Sequence, residues 1–164
     1  MLDSSDCGAG FVIPDLKIHR SYYLGKGLSI FTAELYAILM ALHFINDTPL
    51  TFNGVVFCVD SKSVLQSILN WDCKLRCDFL FEIRYLIHCI ASKGILVDFC
   101  WVPSHCGLYW NNVADSLAKN GANGTFNSTK VNNINMSYHE LLSLLENSFF
   151  KDNDKNKMNM LLCP

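Results

Sequence analysis

The sequence predicts an α/β fold, in which a sheet is flanked by helices. Residues 55–59 form a continuous apolar run, which is typical of a strand covered on both faces. Two stretches with a helical spacing of apolar residues follow, and a second apolar run covers residues 95–102. The order strand, helix, helix, strand with two covered strands indicates an α/β sheet.

A hairpin and a helix are predicted before these elements. Residues 10–13 read as a strand that ends at Pro14, and residues 20–24 with residues 27–30 read as the next strand around a glycine-containing bend. From Thr32 onward, apolar residues follow helical spacing until an Asn-Asp-Thr-Pro sequence stops the helix. The apolar positions of this helix are Leu35, Ile38, Leu39, Leu42 and Ile45.

Two helices join the apolar runs. The first opens at Asp60 and Ser61, and the second covers residues 75–92 and ends at Gly94, because glycine is favoured just after a helix. In open α/β sheets, binding sites gather outside the carboxyl ends of the strands. Asp60 and the loop that contains His105 both follow such ends, so they lie where chemistry is expected.

The length of 164 residues predicts one domain with a tail. We expect the domain to cover residues 1–122. Residues 123–136 are polar and asparagine-rich, which predicts a linker. Residues 137–164 begin with a capping box formed by Ser137 and Glu140, so we expect a C-terminal helix followed by a disordered tail.

Composition excludes several classes of protein. The formal charge of −2 and the pI of about 6.2 argue against a broad basic surface for nucleic acid, so any contact with a polyanion is local or mediated by a metal. The apolar stretch at residues 79–91 is interrupted by Glu82 and Arg84 and is too short for a membrane span. The amino terminus does not resemble a secretory signal, and the eight cysteines are most simply reduced thiols. We therefore expect an intracellular protein of the cytoplasm or nucleus, without a membrane partner.

Four residues are candidates for catalysis. Glu34 lies near the start of the first helix, on the edge of its apolar stripe, where a charge without a partner is costly. Asp60 closes an apolar run, His105 lies in the loop after the last strand, and Asp115 lies in the first turns of the following helix. Three acids and one histidine in such settings suggest a metal-dependent nuclease, because Mg²⁺ binds hard oxygen ligands.

Each candidate also has a purely structural interpretation. Asp60 could be the N-cap of the helix that follows it. Glu34 could be a first-turn glutamate favoured by the helix dipole. His105 could be a polar loop residue, and Asp115 could be an acid on a helix surface. The combination of all four residues in this order favours a functional interpretation.

Several stretches resemble one family. One stretch covers residues 94–107 and includes Trp-Val-Pro-Ser-His, and a second contains Asn-Val-Ala-Asp at residues 112–115. Together they resemble the carboxyl half of a type 1 ribonuclease H domain. The resemblance is strongest to the version found in reverse transcriptase polyproteins of non-LTR retrotransposons. Residues 31–35 and 59–61 resemble the second and third acidic motifs, and the likeness covers about residues 6–122. It implies a mixed sheet of five strands flanked by helices.

The resemblance also implies an activity and a role for each candidate. The reaction would be endonucleolytic hydrolysis of the RNA strand in an RNA–DNA hybrid by two Mg²⁺ ions about 4 Å apart, with Mn²⁺ as a substitute. Glu34 and Asp60 would hold the ion beside the leaving oxygen, and Asp115 would hold the ion that activates water. His105 would move a proton or aid product release. Partners would be the hybrid, recognised by its 2′-hydroxyl groups, and other parts of the polyprotein.

The sequence departs from the family pattern at its start. Family members begin with a central strand that ends in an aspartate, which bridges both metal ions. Only Met1 and Leu2 precede Asp3, so we expect that this strand and the first catalytic aspartate are missing and that two sheet edges stay unpaired. Asp3 or Asp6 could replace the missing aspartate only if a strand and a reversing turn fitted before Gly8 and Gly10. Two further departures, Trp110 and Asn112, concern the shape of the loop.

Two alternatives remain open. The first is an inactive remnant that keeps the ribonuclease H fold and at most binds nucleic acid. The second is a zinc-binding module, although the sequence contains no Cys-x-x-Cys pair. Its ligands would come from Cys73, Cys77, His88 and Cys89, or from Cys100, His105 and Cys106.

Overall fold

The computed structural model describes residues 6–49, 52–70, 78–104, 107–124 and 129–130. These residues form four α-helices and five strands, so the predicted α/β class is confirmed. In chain order the elements are β1 (Asp6–Ile13), β2 (Ile18–Lys26), α1 (Ile30–Asp47), β3 (Gly54–Val59), α2 (Lys62–Leu69), α3 (Asp78–Ser92), β4 (Leu96–Trp101), α4 (Tyr109–Ala122) and β5 (Thr129–Lys130).

The chain divides into two compact units, and the boundary falls within α1, between Ala41 and Leu42. The first unit holds β1, β2, the start of α1, α4 and β5. The second unit holds the end of α1, β3, α2, α3 and β4. Each unit has its own sheet, with the order β1-β2-β5 in the first and β3-β4 in the second.

The first unit is built on an antiparallel hairpin of β1 and β2, as the sequence predicts. A single 3-10 turn links the strands and closes at Lys17 in a left-handed conformation (φ 54°). The two-residue strand β5 lies within the predicted linker and pairs in parallel with Tyr22 and Tyr23. The parallel and antiparallel pairs make this sheet mixed.

The strand predicted at residues 27–30 is wrong, because two local features start a helix there. Gly27 has a positive φ of 75°, which ends β2 at Lys26. Ser29 then accepts a hydrogen bond from the backbone N–H of Thr32 at 3.1 Å, as an N-cap residue does. The helix therefore begins at Ile30, two residues earlier than its apolar spacing indicates.

The apolar stripe predicted for α1 is buried. Leu35 and Leu42 are completely inaccessible, and Ile38, Leu39 and Ile45 are nearly so. By length and composition only, α1 is apolar enough to cross a membrane, with a mean hydropathy of 1.2, but the core helix of a globular protein shares that property. Its buried stripe is what the amphipathic pattern predicts.

The second unit places α2 and α3 beside a parallel pair of strands. The register runs from Gly54 opposite Leu96 to Val59 opposite Trp101. Phe57 and Phe99 stack across the pair with ring centroids 5.0 Å apart. The buried side chains of the two helices complete this core; they are Val64, Leu65, Ile68, Leu80, Ile83, Leu86, Ile87 and Ile90.

The prediction that β3 is covered on both faces is wrong. Val55, Phe57 and Val59 are half-buried, whereas the alternate residues are exposed, with Val56 at 59%. On the neighbouring strand, Leu96 is 67% exposed. A continuous apolar run shows that both faces of a strand tolerate burial, but it does not show that a second layer is present.

Two charged residues that interrupt the apolar stretch of α3 are buried with partners. Arg84 is 5% exposed and donates hydrogen bonds to the carbonyl oxygens of Ser67, Ile68 and Asn70 at 2.7, 3.2 and 2.9 Å. These carbonyls end α2 and need donors. The buried Glu82 accepts a hydrogen bond of 2.6 Å from Nε2 of His43. Both charges are therefore compensated inside the second unit.

Candidate functional site

Asp60 lies at the carboxyl end of β3, where the sequence predicts a site. The strand ladder with β4 ends at the pair Val59 and Trp101, so Asp60 is the first residue beyond it. Its side chain is half-buried. The N-cap interpretation of Asp60 is wrong, because the N-cap position of α2 is Ser61, which has extended backbone angles (φ −92°, ψ 102°).

Sequence reasoning missed the contacts that surround Asp60. The indole Nε1 of Trp101 donates a hydrogen bond to the backbone carbonyl oxygen of Asp60 at 3.1 Å. The ammonium of Lys62 lies 4.0 Å from the centroid of the same indole ring. The available signal was the position of Trp101 one residue before the end of the predicted strand, since the ends of neighbouring parallel strands lie at the same edge of a sheet.

Glu34 lies in the second turn of α1. The helix has no acidic residue in its first turn, so the first-turn interpretation of Glu34 is wrong. The side chain is half-buried, and Ile38 and Ala41, with which it shares a flank, are buried. The predicted position on the edge of the apolar stripe is therefore confirmed.

Asp115 lies in the second turn of α4 and is half-buried. The helix carrying it packs tightly on β1, because two glycines leave room for its backbone. A methyl group on Gly10 would lie 2.6 Å from Cβ of Leu117 and 2.7 Å from the backbone nitrogen of Ala118. A methyl group on Gly8 would overlap the backbone at Ala118 and Ala122. Only glycine permits this approach.

A second set of contacts holds α4 on β2. The buried Ser21 donates a hydrogen bond from Oγ to the carbonyl oxygen of Leu117 at 2.7 Å. Gly121 lies against the carbonyl group of Tyr22, with no room for a side chain. Sequence reasoning missed these residues. The signal was present as glycines at alternate positions of β1 and small residues on one face of α4.

His105 and its neighbour Cys106 lie outside the described residues. The structure describes the loop up to Ser104 and again from Gly107, which has a φ of 83°. The residues that depart from the family pattern, Trp110 and Asn112, are both exposed near the start of α4. The proton-transfer role of His105 stays a prediction.

Among the residues that the structure describes, no three His, Cys, Asp or Glu side chains form a group that could hold a metal ion. Glu34 and Asp115 belong to the first unit and Asp60 to the second, so their convergence stays a prediction. The chemistry of the donors fits Mg²⁺, because all three are carboxylates.

Most of the ligands of the zinc-binding alternative lie outside the described residues. The structure describes three of the proposed zinc ligands, which are His88, Cys89 and Cys100. It does not describe Cys73, Cys77, His105 and Cys106. His88 and Cys89 are neighbours on α3, and Cys100 lies on β4.

Comparison with known families gives one clear match. The sequence model of the RNase H family matches residues 2–123, which is well over half of the chain and includes all four candidate residues. No match was found among curated proteins. Proteins of this family bind RNA–DNA hybrids, hydrolyse RNA and generally use divalent metal ions such as Mg²⁺. The mixed α/β architecture agrees with the match, and the chain belongs to the RNase H family.

Proposed function

We propose that this protein is an endonuclease that cuts the RNA strand of an RNA–DNA hybrid, with Glu34, Asp60 and Asp115 as its metal ligands. The observation that carries the proposal is the family match over residues 2–123. The half-buried positions of the three carboxylates support it. Asp60 directly follows β3, and Glu34 and Asp115 each lie within the second turn of a helix.

The proposed roles follow from the chemistry of phosphodiester hydrolysis. Bound divalent ions neutralise charge at phosphorus and lower the pKa of a coordinated water. In this proposal, Glu34 and Asp60 would hold the ion that stabilises the leaving oxygen, and Asp115 would hold the ion that activates water. His105 moves a proton, since an imidazole with an ordinary pKa of about 6.5 exchanges protons near neutral pH.

We also propose that an upstream strand supplies the family's first aspartate, as in a larger intracellular reverse transcriptase polyprotein of the non-LTR type. The sheets support this proposal. Within the described residues, β1 pairs only with β2, and β3 pairs only with β4, so each has an open edge. Open edges of this kind pair readily with a further strand.

A second candidate is a catalytically inactive protein that binds the hybrid. It stays a candidate because the three carboxylates are divided between the two units, with Glu34 and Asp115 in the first and Asp60 in the second. Such a protein would retain the fold and the RNA contacts but would lack the full ligand set. The two candidates differ in cleavage and agree in hybrid binding.

The test is cleavage of a labelled RNA–DNA hybrid in Mg²⁺ or Mn²⁺. The chain is compared with a form that carries an added amino-terminal strand ending in Asp-Gly-Ser. We expect metal-dependent cutting that is lost in Asp60→Asn and retained in Asp98→Asn, a matched change on β4. Cutting by the extended form alone would support an upstream aspartate.

Two results would contradict the nuclease proposal. If neither form cuts but both bind the hybrid, the inactive candidate is correct. If the purified protein retains zinc after dialysis against a chelator, the zinc-binding alternative gains support, since the nuclease proposal predicts no tightly bound zinc.

A further inference from the structure

We propose that Trp101 is a positioning residue, which fixes Asp60 by holding the backbone carbonyl of that residue. The inference rests on the proposed function, because it matters only where Asp60 holds a catalytic metal ion. Trp101 itself touches neither substrate nor metal in this proposal. It acts through the turn that carries the carboxylate.

The hydrogen bond continues the sheet beyond the point where the strand ladder ends. The last strand pair joins Val59 to Trp101, and Asp60 is the next residue along the chain. The indole N–H of Trp101 reaches this carbonyl at 3.1 Å, a normal length for such a bond. Both residues are half-buried, which limits competition from water.

Trp101 also contacts the far side of the turn. The turn from β3 to α2 consists of Asp60 and Ser61, and Lys62 begins the helix. The ammonium of Lys62 lies 4.0 Å from the centroid of the indole ring, within the range of a cation–π contact. One side chain therefore touches the residues on both sides of Ser61.

The turn from β3 to α2 has no side-chain N-cap bond. Ser61 occupies the N-cap position of α2, but its side chain does not cap a backbone N–H of the helix. Its Oγ instead lies 3.1 Å from Oγ of Ser63. Without the usual N-cap bond, the turn loses a common restraint on its peptide groups, and the indole supplies one from the neighbouring strand.

This restraint bears on the carboxylate of Asp60. Fixing the carbonyl fixes the peptide plane between Asp60 and Ser61, and with it the backbone from which the side chain projects. Catalytic groups lose activity steeply when they are displaced by about 1 Å. The hydrogen bond is therefore expected to set how well Asp60 meets a divalent ion.

The experiment replaces Trp101 with 3-benzothienylalanine, which has the shape of tryptophan but a sulfur atom in place of the N–H. The ring and its contact with Lys62 are retained, and only the donor is lost. The same replacement at Trp110, which is exposed on α4, is the matched control. Thermal unfolding verifies that both variants are folded.

Two readouts are expected to change together. The Mg²⁺ concentration for half-maximal cleavage rises about three- to tenfold at Trp101, the range that one hydrogen bond accounts for, and is unchanged at Trp110. Independently of activity, the indole proton of Trp101 in the unmodified protein exchanges slowly with solvent. Its NMR signal shifts on adding Mg²⁺, and this shift is absent in Asp60→Asn.

The outcomes separate this inference from the proposed function. If the indole proton of Trp101 exchanges as fast as that of Trp110, the inference is overturned whatever the activity. If the Mg²⁺ requirement is unchanged at Trp101 while Asp60→Asn is inactive, the inference is overturned and the nuclease proposal stands. If no form cuts, the nuclease proposal fails. A Mg²⁺-dependent shift of the indole NMR signal that is lost in Asp60→Asn would still support the positioning of Asp60 by Trp101.

Discussion

The two units position their acidic residues by different means. In the first unit, the helix of Asp115 lies directly against the glycines of β1, so backbone meets backbone. In the second unit, Asp60 follows a strand and its carbonyl is held by one side-chain donor, that of Trp101. The first arrangement depends on residues that have no side chain, and the second depends on a hydrogen-bond donor. The two sites should therefore fail under opposite kinds of substitution.

The largest effect is expected from Gly8→Ala, which tests the close approach in the first unit. The added methyl group would overlap the backbone of Ala118 and Ala122, which cannot move as a side chain can. We expect a loss of about 3 kcal/mol in the free energy of unfolding, measured by urea denaturation. Gly54→Ala is the control, because its nearest neighbour, Cβ of Leu96, is 3.3 Å away. Equal effects of the two changes would refute the comparison.

Arg84→Met tests directed hydrogen bonding in the second unit. The methionine fills similar space but leaves three carbonyl oxygens at the end of α2 without their donor. We expect a loss of about 2 kcal/mol in the free energy of unfolding. Arg20→Met, at an exposed position on β2, should change it by less than about 0.5 kcal/mol. A denaturation midpoint for Arg84→Met equal to that of the control would show that these bonds do not stabilise the unit.

Ser21→Ala sharpens the comparison, because it removes a directed bond from the unit that depends on close packing. The change leaves the carbonyl oxygen of Leu117 without its 2.7 Å partner. We expect a loss of about 1 kcal/mol in the free energy of unfolding. The control is Ser116→Ala, whose exposed hydroxyl donates to the carbonyl of Asn112. An effect as large as that of Gly8→Ala would show that the hydrogen bond of Ser21 contributes as much to holding α4 as the close approach at the glycines does.

The smallest effect is a pH dependence in the second unit. The hydrogen bond to Glu82 raises the pKa of His43, although burial opposes the shift. A raised pKa means that the stabilisation is complete below the unfolded value of about 6.5 and is lost as the pH rises through the folded value. Below the folded pKa of His43, the natural protein should be more stable than His43→Gln, and this difference should disappear as the pH rises above that pKa. The measurement is urea denaturation from pH 6 to pH 9. The control His19→Gln, at an exposed residue, should show the same dependence of unfolding free energy on pH as the natural protein. If His43→Gln also shows that dependence, the His43–Glu82 interaction is not its cause.

Local sequence patterns predicted most of the fold. The strand ends at Ile13 and Val59 follow from turn residues and from an apolar run, and the last strand ends at Trp101, one residue before the predicted end at Val102. The helices follow from their apolar spacing. The misassigned strand at residues 27–30 shows the limit of such patterns. There, a capping serine and a glycine with positive φ outweighed the preference of the apolar residues for a strand.

The candidate site was predictable only in part. Asp60, Glu34 and Asp115 stand out because charged residues interrupt or border apolar patterns. The contacts that hold them join residues far apart in the chain: Trp101 lies 41 residues from Asp60, and Ser21 lies 96 residues from Leu117. The alternating glycines of β1 and the position of Trp101 indicate close packing there, but they do not identify the partner residues.

The exposed face of β3 has a practical consequence for chemical labelling. Cys58 is exposed there, whereas Cys7, Cys89 and Cys100 are partly covered. A maleimide reagent should therefore modify Cys58 first among these four thiols. The rate of that modification becomes a sensor for anything that shields the face, whether a longer form of the polypeptide or an associated macromolecule.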